Sequence, residues 1–538
     1  MRIGVSIANL AWGISNLPAC RRFQRALNRP LETQLLRLKA LLQKNAQTAF
    51  GKALGFESIS SYEEFTRRVP LTNYDTFKPW IDRIREGEPS VLTADRVTHL
   101  IPTSGSSGAR KLIPFTTDLQ REFHAAIAPW LVDLQRSFPK LIGGPAYWSI
   151  TPPATSAESE ISAVPVGFDS DCAYLGGARE TLVKATLAVP PEALRSIEPE
   201  HYRYCTLLHL LRCRDLRLIS VWHPSLPGLL MDALPEHWER LLADIAHGTD
   251  QFGALAMRPL PRRARELESL DPREPSALWP HLSVISCWAD GPAALAAREL
   301  RRLFPKTVIQ SKGLLATEGV VTLPFASGHP LAVCSHFYEF IDDSGRATPC
   351  DALKAGAEYE VVITTGGGLY RYRLGDRVRV TGRLGRTPSL QFLGRAGNVS
   401  DLFGEKLSET FVAEALRELF AEYSPRFALL APERWLHAGR YTLYVEGIPE
   451  GPWAERLDRI LRRNPHYACC RDLGQLHLPR VVFVTNGHGA FMKRFIDAGR
   501  KAGDIKPAAL SCLCDWEEHF SLESMPDRAR RENATTAF

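Results

Sequence analysis

Two spacings of apolar residues divide the chain into predicted helices and strands. Residues 31–47, LETQLLRLKALLQKNAQ, and the segment TTDLQREFHAAIAPWLVDLQ both repeat apolar positions at helical intervals, which predicts amphipathic helices. The Thr-Asp pair that opens the second segment is a natural N-cap. Short apolar runs bounded by glycine, such as HLIPTSG and HLSVISCWADG, predict buried strands instead.

The order of these elements predicts an α/β fold. The strand-like HLSVISCWADG is followed by the helical PAALAARELRRLF and the strand-like KTVIQSKGLLATEG, an alternation typical of parallel strands joined by helices. Residues 356–395 contain AEYEVVITT, YRYRLGDRVRVTGR and LQFLGR, which predict antiparallel strands with glycine turns. After Arg395 the patterns mix: SETFVAEALRELFAEY and ERLDRILRRN predict helices, and RYTLYVEG and RVVFVTN predict strands. We therefore expect one domain over residues 1–394 and a second over residues 395–538.

Composition narrows the class of protein. The chain has 538 residues, 45% of them hydrophobic, which is enough for a sizeable core in more than one domain. Its net charge of +6 is dispersed, so we expect neither nucleic-acid nor membrane binding. No uninterrupted apolar run reaches the roughly 18 residues of a transmembrane helix. The eleven cysteines lack zinc-site spacing, which favours a reduced, cytoplasmic protein.

The N-terminal stretch MRIGVSIANLAWGISNLPACRRFQ has two interpretations. Its basic start, apolar middle and small residues before Cys20 resemble a secretory or lipoprotein signal. Against a signal, Trp12 and Asn16 interrupt the apolar run and two arginines follow Cys20 directly. A helix of the folded protein and a signal both stay open.

The stretch IPTSGSSGARKLIPF, residues 101–115, has the composition of a phosphate-binding loop. Gly105 and Gly108 let the backbone bend so that amides can point at an anion, while the serines and Lys111 supply hydroxyl donors and positive charge. The spacing fits neither a Walker A loop nor a nucleophile elbow. On composition alone, an ordinary Gly/Ser turn explains the stretch equally well.

Four further motifs follow in order, and none is informative by itself. The first motif, GLLATEG, ends a predicted strand, where ligands gather in α/β folds. The second, YRYRLGD, ends another predicted strand with a carboxylate suited to a ribose diol, although Gly-Asp alone is most often a turn. Their polar residues are Thr317 and Glu318 in GLLATEG, Asp376 in YRYRLGD, Arg395, Glu405 and Lys406 in FLGRAGNVSDLFGEKLSE, and Lys506 in AGDIKPAAL.

Taken together, these motifs resemble the adenylate-forming superfamily, which includes acyl-CoA synthetases and luciferase. The phrases VPLTNYDTFKPWIDRI, TSGSSGARKLIPFT, YRYRLGD, FGEKLSE and DIKP resemble, within it, the Gretchen Hagen family of acyl acid–amido synthetases, known from auxin-responsive plant genes and from bacteria. The resemblance covers nearly the whole chain. The loop has Ser-Ser-Gly-Ala-Arg-Lys where the superfamily often has Thr-Thr-Gly-x-Pro-Lys, which keeps the hydroxyl donors. Gly397 stands where the hinge usually has Asp, so the pivot residue is open.

The resemblance implies a fold and an activity. The fold would be a large N-terminal adenylate-forming domain of mixed α/β sheets with a small β-barrel-like part, followed by a smaller, mobile α+β domain. The activity would use ATP and Mg²⁺ to convert a small carboxylic acid into acyl-AMP, releasing pyrophosphate, and would then transfer the acyl group to the amine of an amino acid. We expect a monomer. An acyl-CoA ligase and a non-catalytic nucleotide-binding relative remain alternatives, although the late loop lacks the Ser-Gly-Lys pattern of acyl-CoA synthetases.

The resemblance also implies roles for individual residues. Lys506 would stabilise the α-phosphate during adenylation, with Lys406 as a second catalytic lysine, and Glu318 would hold Mg²⁺. The other residues implied to bind ATP or AMP are Ser104, Gly105, Ser106, Ser107, Gly108 and Lys111 at the phosphates, Thr317 at the α-phosphate, Asp376 and Arg395 at the ribose, and Ala289, Asp290 and Gly291 at the adenine. His124 and Trp130 would line the acyl pocket, although His124 is as readily a packing residue. The acid and the acceptor amine are open.

Overall fold

The computed structural model describes residues 3–103, 111–148, 162–168, 177–194, 201–222, 224–248, 257–395, 398–403, 405–435, 438–472, 475–498, 505–506 and 508–522. The helices are α1 Ile3–Ala26, α2 Pro30–Asn45, α3 Ala49–Leu54, α4 Tyr62–Arg68, α5 Tyr74–Arg85, α6 Thr117–Ser137, α7 Gly177–Lys184, α8 Tyr202–Leu211, α9 Ser225–His247, α10 Pro261–Glu268, α11 Pro275–Leu278, α12 Ala294–Leu303, α13 Glu409–Leu419, α14 Trp453–Leu461, α15 Pro465–Asp472 and α16 Gly487–Asp497. The strands are β1 Val97–Thr103, β2 Lys111–Thr116, β3 Ala146–Trp148, β4 Leu218–Ser220, β5 Val284–Cys287, β6 Val308–Ser311, β7 Phe337–Ile341, β8 Ala347–Pro349, β9 Glu358–Thr364, β10 Tyr372–Leu384, β11 Thr387–Arg395, β12 Val399–Ser400, β13 Leu407–Ser408, β14 Phe427–Arg434, β15 Gly439–Glu446, β16 Arg480–Thr485 and β17 Ser521–Leu522.

The chain forms two compact units. The large unit comprises Met1–Asp290 and Leu300–Leu393, and the small unit comprises Gly291–Glu299 and Gly394–Phe538. The first part of α12 therefore belongs to the small unit. Within that unit, Arg298 Nη1 donates to the carbonyl oxygens of Phe420 (2.7 Å) and Tyr423 (2.9 Å), which ties this segment to the end of α13.

A four-stranded parallel sheet in the large unit has the order β3-β4-β5-β6. Its strands are three or four residues long, and β4 and β5 are buried throughout. Continuous apolar runs of this kind are typical of parallel strands covered on both faces. The predicted alternation of strand, helix and strand over HLSVISCWADG to KTVIQSKG is confirmed by β5, α12 and β6.

A second sheet of the large unit has the order β11-β10-β9-β7-β8, and its pairs β7–β8, β7–β9 and β9–β10 are antiparallel. The prediction of antiparallel strands in residues 356–395 is confirmed by β9 and β10. Apart from these sheets, β1 and β2 form an antiparallel hairpin in which Thr103 pairs with Lys111.

The two helices predicted in the N-terminal part of the chain are confirmed as α2 and α6. The α6 helix begins after Thr116, whose hydroxyl accepts a hydrogen bond from Leu119 N, so the cap is the first threonine of the Thr-Thr-Asp sequence. The N-terminal stretch that had two interpretations forms α1, and its Trp12 and Phe23 are buried in the main core of the large unit. Among the described residues, no helix combines the length and apolar character needed to cross a membrane.

The small unit is built on a mixed sheet of order β14-β15-β16-β17, in which β15 and β16 run parallel and the outer pairs run antiparallel. Leu416 of α13 and Leu457 of α14 share one buried cluster with Leu443 of β15. Phe491 of α16 and Trp516 stack in another cluster, with ring centroids 5.4 Å apart. The helices and strands predicted after Arg395 are confirmed by α13, α14, β15 and β16.

Candidate active site

The carboxyl ends of the parallel strands lie at one edge of their sheet, and the predicted Asp290 and Thr317–Glu318 follow two of these strands along the chain. Ser220 ends β4, Cys287 ends β5 and Ser311 ends β6. Beyond them the chain continues into Trp222 and Trp288, whose rings lie 5.7 Å apart. This is the edge at which open α/β sheets bind ligands.

Asp290, predicted to flank adenine, is fixed beside this edge. Its carboxylate accepts hydrogen bonds from Ser311 Oγ (2.6 Å) and Gln391 Nε2 (3.4 Å). Ala289 precedes it in the same half-exposed stretch, and Gly291 follows with φ +54°, a conformation that favours glycine. Asp290 is thereby held between the parallel sheet and β11 of the antiparallel sheet.

Thr317 and Glu318 form the tip of a tight hairpin that leaves β6. Ala316 and Gly319 exchange backbone hydrogen bonds, and Val321 N donates to Leu314 O, so the predicted Thr-Glu pair occupies the two turn positions. At the base, Gly313 has φ +78° and a Cβ there would lie 2.8 Å from the Thr322 carbonyl oxygen. Glycine is therefore required at the base of this hairpin.

A buried hydrogen-bond network, which the sequence did not indicate, supports the tip. Val320 N donates to His336 Nε2 (3.0 Å), and His336 Nδ1 lies 2.8 Å from Glu122 Oε2. Because Nε2 accepts, Nδ1 carries the hydrogen and donates it to the carboxylate. Burial opposes ionisation of Glu122, yet His336 and Arg37 hold its pKa below the usual value. An ionised carboxylate thus orients the imidazole that holds the hairpin.

The Glu318 carboxylate is suited to a metal ion. The residue is 7% exposed, and its side chain makes no hydrogen bond or ion pair with another residue of the described part of the chain. Those same residues contain no group of three metal-ligating side chains, so an ion here would take its other ligands from phosphate and water. Mg²⁺ is commonly bound in that way, by one or two carboxylates together with a nucleotide.

Asp376 lies in an irregular part of β10. The register with β9 shifts between Arg373 and Arg377, and Gly375 has φ +72°. Such a bulge redirects a side chain out of the regular alternation of a strand. Asp376 is completely buried, so the turn that Gly-Asp suggested is in fact a bulge within a long strand.

Of the predicted phosphate-binding residues in the Gly/Ser loop, Lys111 is among the described residues. Ser104, Gly105, Ser106, Ser107 and Gly108 lie outside the described residues. Lys111 opens β2, and its Nζ lies 5.8 Å from the centre of the Tyr74 ring. Tyr74 Oη in turn accepts a hydrogen bond from Leu112 N (2.8 Å), so the lysine is supported from α5.

The two residues predicted for the acyl pocket lie on α6 with different neighbours. Trp130 Nε1 donates to Gln310 Oε1 of β6 (2.9 Å), and its ring lies 5.9 Å from that of Trp148 at the end of β3. His124 Nε2 is 3.0 Å from Asn16 Oδ1 of α1, and burial lowers the pKa of His124 to about 4. Trp130 thus faces the parallel sheet, whereas His124 faces α1.

Lys312 is another residue of this region that the sequence did not indicate. Immediately after β6 it is 6% exposed, and its Nζ donates to Ser220 Oγ (2.6 Å) and to the Ser286 carbonyl oxygen (3.2 Å). The only signal in the sequence was a charged residue directly after a predicted strand, in VIQSKG, which by itself is unremarkable.

In the small unit, contacts join the segment after β11 to the loop that contains Lys506. Asn398 Nδ2 donates to Leu510 O (2.8 Å), and Ala509 N donates to Glu409 Oε1 (3.2 Å). Burial raises the pKa of Glu409 to about 7, although Asn398, Ala509 and Arg395 act in the opposite direction. The half-buried Lys506 therefore belongs to a loop that is held to the start of α13.

The other two polar residues of the FGEKLSE motif have different environments. Glu405 is buried and accepts hydrogen bonds from Leu402 N and Phe403 N, both 2.8 Å, and from the Tyr441 hydroxyl. Lys406 is exposed and has φ +45°. The glutamate therefore organises the turn, and the lysine is presented to solvent.

The amino-acid sequence matches three family descriptions in succession. These are the GH3 family N-terminal domain over residues 19–309, the GH3 family central domain over residues 329–395, and the GH3 family C-terminal domain over residues 409–512. A relative from Oryza sativa subsp. japonica, "Probable indole-3-acetic acid-amido synthetase GH3.12", is 26% identical over 90% of this chain and 92% of its own. "Indole-3-acetic acid-amido synthetase GH3.15" from Arabidopsis thaliana is 28% identical over 70% of each chain.

Solved structures with the same fold come from two kinds of ligase. "GH3.15 acyl acid amido synthetase" matches with a TM-score of 0.80 at 21% identity, over 94% of this chain and 96% of the other. "2-Hydroxyisobutyryl-CoA Ligase" in the postadenylation state matches with a TM-score of 0.50 at 11% identity, over 96% and 92%. The expected fold class, a large mixed α/β domain with a smaller C-terminal one, is confirmed.

Proposed function

The chain belongs to the Gretchen Hagen (GH3) family, and we propose that it is an ATP-dependent acyl acid–amido synthetase that joins a small carboxylic acid to the amine of an amino acid. Its similarity to curated amido synthetases extends over most of both chains, which supports an enzyme that forms an amide bond. The match to an acyl acid amido synthetase, with a TM-score of 0.80, exceeds the 0.50 of the CoA ligase, and this favours an amine over coenzyme A as acceptor.

The first half-reaction activates the acid. A carboxylate oxygen attacks the α-phosphorus of ATP, the bond from that phosphorus to the bridging oxygen breaks, and pyrophosphate leaves. Because the negative charges of both reactants repel each other, the protein's task is to position them and to neutralise charge. We assign phosphate contacts to Ser104–Gly108, Lys111 and Thr317, and the ribose to Asp376 and Arg395.

Three further groups complete this assignment. Glu318 would hold Mg²⁺, which neutralises phosphate charge when it is bound. Ala289, Asp290 and Gly291 would flank the adenine, since Asp290 is already fixed by Ser311 and Gln391. Lys506, with Lys406, would supply positive charge at the α-phosphate.

The second half-reaction forms the amide. The amine nitrogen of an amino acid attacks the acyl carbon, the bond to the AMP oxygen breaks, and the nitrogen loses a proton. In this proposal residues 395–538 move as a mobile domain, so that Lys506 withdraws and the amine gains access.

The observation that carries the proposal is the buried Glu318 carboxylate at the hairpin tip. A carboxylate at 7% exposure with no cationic partner among the described residues is costly for a folded protein. The network from Val320 through His336 to Glu122 nevertheless fixes the backbone beside it. A carboxylate on a fixed backbone and without a cationic partner is expected where a cation arrives with the substrate.

The test is a panel of carboxylic acids incubated with ATP and Mg²⁺ and scored by pyrophosphate release. Acids that respond are then assayed with single amino acids or with coenzyme A, and AMP release identifies the acceptor. Amide formation with an amino acid is the expected product. AMP release with coenzyme A alone would assign the chain to the acyl-CoA ligases, and no pyrophosphate with any acid would contradict an adenylating enzyme.

The Glu318→Gln variant tests the carboxylate itself. It keeps the size of the side chain but removes its charge, so we expect pyrophosphate release to fall about 100-fold or more. The matched control is Glu268→Gln, at an exposed position at the end of α10, which should retain full activity. Equal activity of the two variants would remove Glu318 from the site.

A further inference from the structure

Lys312 is a buried amine for which the described residues provide no countercharge. Its hydrogen-bond partners are neutral, the Ser220 hydroxyl and the Ser286 carbonyl group. Burial lowers the pKa of Lys312 to about 7, and the Cys287 thiol acts in the opposite direction. Since burial raises the pKa of Cys287 to about 12, that thiol stays neutral and gives no ion pair.

The amine faces two tryptophan rings. Nζ lies 5.7 Å from the ring centre of Trp130 and 5.5 Å from that of Trp222. Trp222 is in turn 5.7 Å from Trp288, and Trp130 is 5.9 Å from Trp148. Aromatic rings stabilise a protonated amine and also offer flat apolar surface. The amine is therefore enclosed by groups that suit a largely apolar ligand with one anionic substituent.

A purely structural role accounts poorly for this arrangement. Methionine would fill the core about as well as lysine does, whereas burying the lysine amine costs free energy because the amine loses its hydration. A protonated amine has three hydrogens to donate, and Ser220 and Ser286 accept two of them. The remaining donor suits a ligand acceptor at the carboxyl edge of the sheet, where ligands bind in such folds.

We propose that Lys312 binds a second acidic group of the acyl substrate, remote from the carboxylate that is adenylated. This inference rests on the proposed function, because it presupposes that an acid is activated at this edge of the sheet. Substrates of this kind are dicarboxylic acids with an apolar or aromatic body that packs against Trp130 and Trp222. The ammonium and the second carboxylate would form a charge-assisted hydrogen bond in a site with little water.

The hairpin explains why the group bound is the second one. Lys312 precedes the base of the hairpin, whereas Glu318 is at its tip, and the arms are paired by Leu314 with Val321 and by Ala316 with Gly319. An extended arm of this length spans on the order of 15 Å. The reacting carboxylate must meet the α-phosphate near the tip, so a group held by Lys312 lies at the other end of the substrate.

The test compares matched acids that differ only in a second carboxylate. Phenylacetate is paired with 4-carboxyphenylacetate, and hexanoate with adipate, and kcat/KM for pyrophosphate release is measured on the full chain with ATP and Mg²⁺. We expect the dicarboxylic acid of at least one pair to be preferred. In Lys312→Met that preference should fall about 30-fold or more, because the second carboxylate loses its charged donor. Lys312→Arg should recover part of it.

A control variant shows whether the effect depends on the position of the lysine or only on the loss of one positive charge. Lys306→Met removes the same charge from an exposed position just before β6 and should leave the preference unchanged. Thermal denaturation of each variant shows whether it is folded, and the ratio of the paired acids is insensitive to the amount of folded enzyme.

The outcomes distinguish this inference from the proposed function. A preference for a dicarboxylic acid that disappears in Lys312→Met supports the inference. Pyrophosphate release without such a preference, or a Lys312→Met variant that lowers both members of each pair equally, overturns the inference and leaves the proposed function standing. No pyrophosphate with any acid of the wider panel overturns both.

Discussion

At the scale of single residues, Asp376 combines complete burial with a position in a β-bulge. We expect Asp376→Asn to raise the apparent KM for ATP about tenfold, with a smaller change in kcat, because an amide accepts hydrogen bonds from a ribose more weakly than a carboxylate does. Pyrophosphate release measured against ATP concentration checks this. The control is Asp351→Asn at an exposed position. An unchanged KM would remove Asp376 from the ribose site.

Glu409 gives a prediction about pH. Burial raises the pKa of Glu409 from its ordinary value to about 7, so folding favours the protonated form. The stabilisation is complete below the unfolded pKa and is lost as the pH rises through 7. Between pH 5 and 8 the small unit should lose up to about 3 kcal/mol of stability. The charged or titratable neighbours are Arg395 and Cys512, and the thiol pKa is itself raised, by burial and then by Glu409.

The Glu409→Gln variant isolates this effect. Glutamine can still accept the hydrogen bond from Ala509 N, but it cannot ionise. We expect its resistance to urea to vary much less than that of the wild type between pH 5 and pH 8, and to be the higher of the two at pH 8. Glu422→Gln, at an exposed position after α13, should behave like the wild type. Parallel pH profiles for all three proteins would show that Glu409 is ionised in the folded state.

At the scale of elements, the hairpin from Gly313 to Thr322 depends on its glycine base. Gly313→Ala would have to place a Cβ at φ +78° and 2.8 Å from the Thr322 carbonyl oxygen. We expect a loss of about 2–4 kcal/mol of stability and a fall in pyrophosphate release, because the tip with Glu318 would shift. Thermal denaturation and the pyrophosphate assay measure the two effects.

Gly345→Ala is the matched control for this hairpin. Gly345 lies in the turn between β7 and β8 with φ +80°, but a Cβ there meets nothing within 4 Å. The variant therefore has the backbone strain but no close contact. We expect it to lose about 1 kcal/mol of stability and to keep its activity. If both variants lose the same stability and keep full activity, the base of the hairpin does not position Glu318.

The elements that were predicted from the sequence are those with a long or clearly bounded pattern. The spacing in α6 and α13 and the apolar runs of β5 and β9 predicted their type because one face or nearly the whole element is buried. The strands β3 and β4 were missed, since three residues are too few to show a period. The assignment of residues 291–299 to the small unit was also missed, because a linear pattern does not reveal contacts such as Arg298 with Phe420.

The same limit applied to the candidate site. Glu318 and Asp376 were singled out because they occur in recognisable motifs, although Asp376 was expected at the end of a strand and lies in a bulge within one. Glu122 and His336 are 214 residues apart and hydrogen-bonded, and no local pattern links them. Lys312 depends on Trp130, Ser220 and Ser286 from three other elements, so only the fold identifies its environment.

At the scale of the whole molecule, the proposed reaction divides between the two units. Glu318 and Asp376 belong to the large unit, and Lys506 belongs to the small one. Within the small unit the loop around Lys506 is tied to Asn398 and Glu409, so we expect any movement of that unit to carry the lysine with the segment after β11. A lysine that acts in one half-reaction and withdraws for the other should affect only the first.

We therefore expect Lys506→Ala to reduce acid-dependent pyrophosphate exchange at least 100-fold, because the α-phosphate loses a positive charge as its own negative charge redistributes. The same variant should convert preformed acyl-AMP and an amino acid to the amide within about threefold of the wild-type rate, since no phosphorus is attacked in that step. Lys493→Ala, at an exposed position on α16, removes the same charge from the same unit and should preserve both half-reactions.

Equal losses in both half-reactions of Lys506→Ala would mean that the lysine stabilises the small unit rather than the phosphate. Full activity in both would mean that the adenylation step takes its charge from elsewhere, for which Lys406 is the first variant to examine.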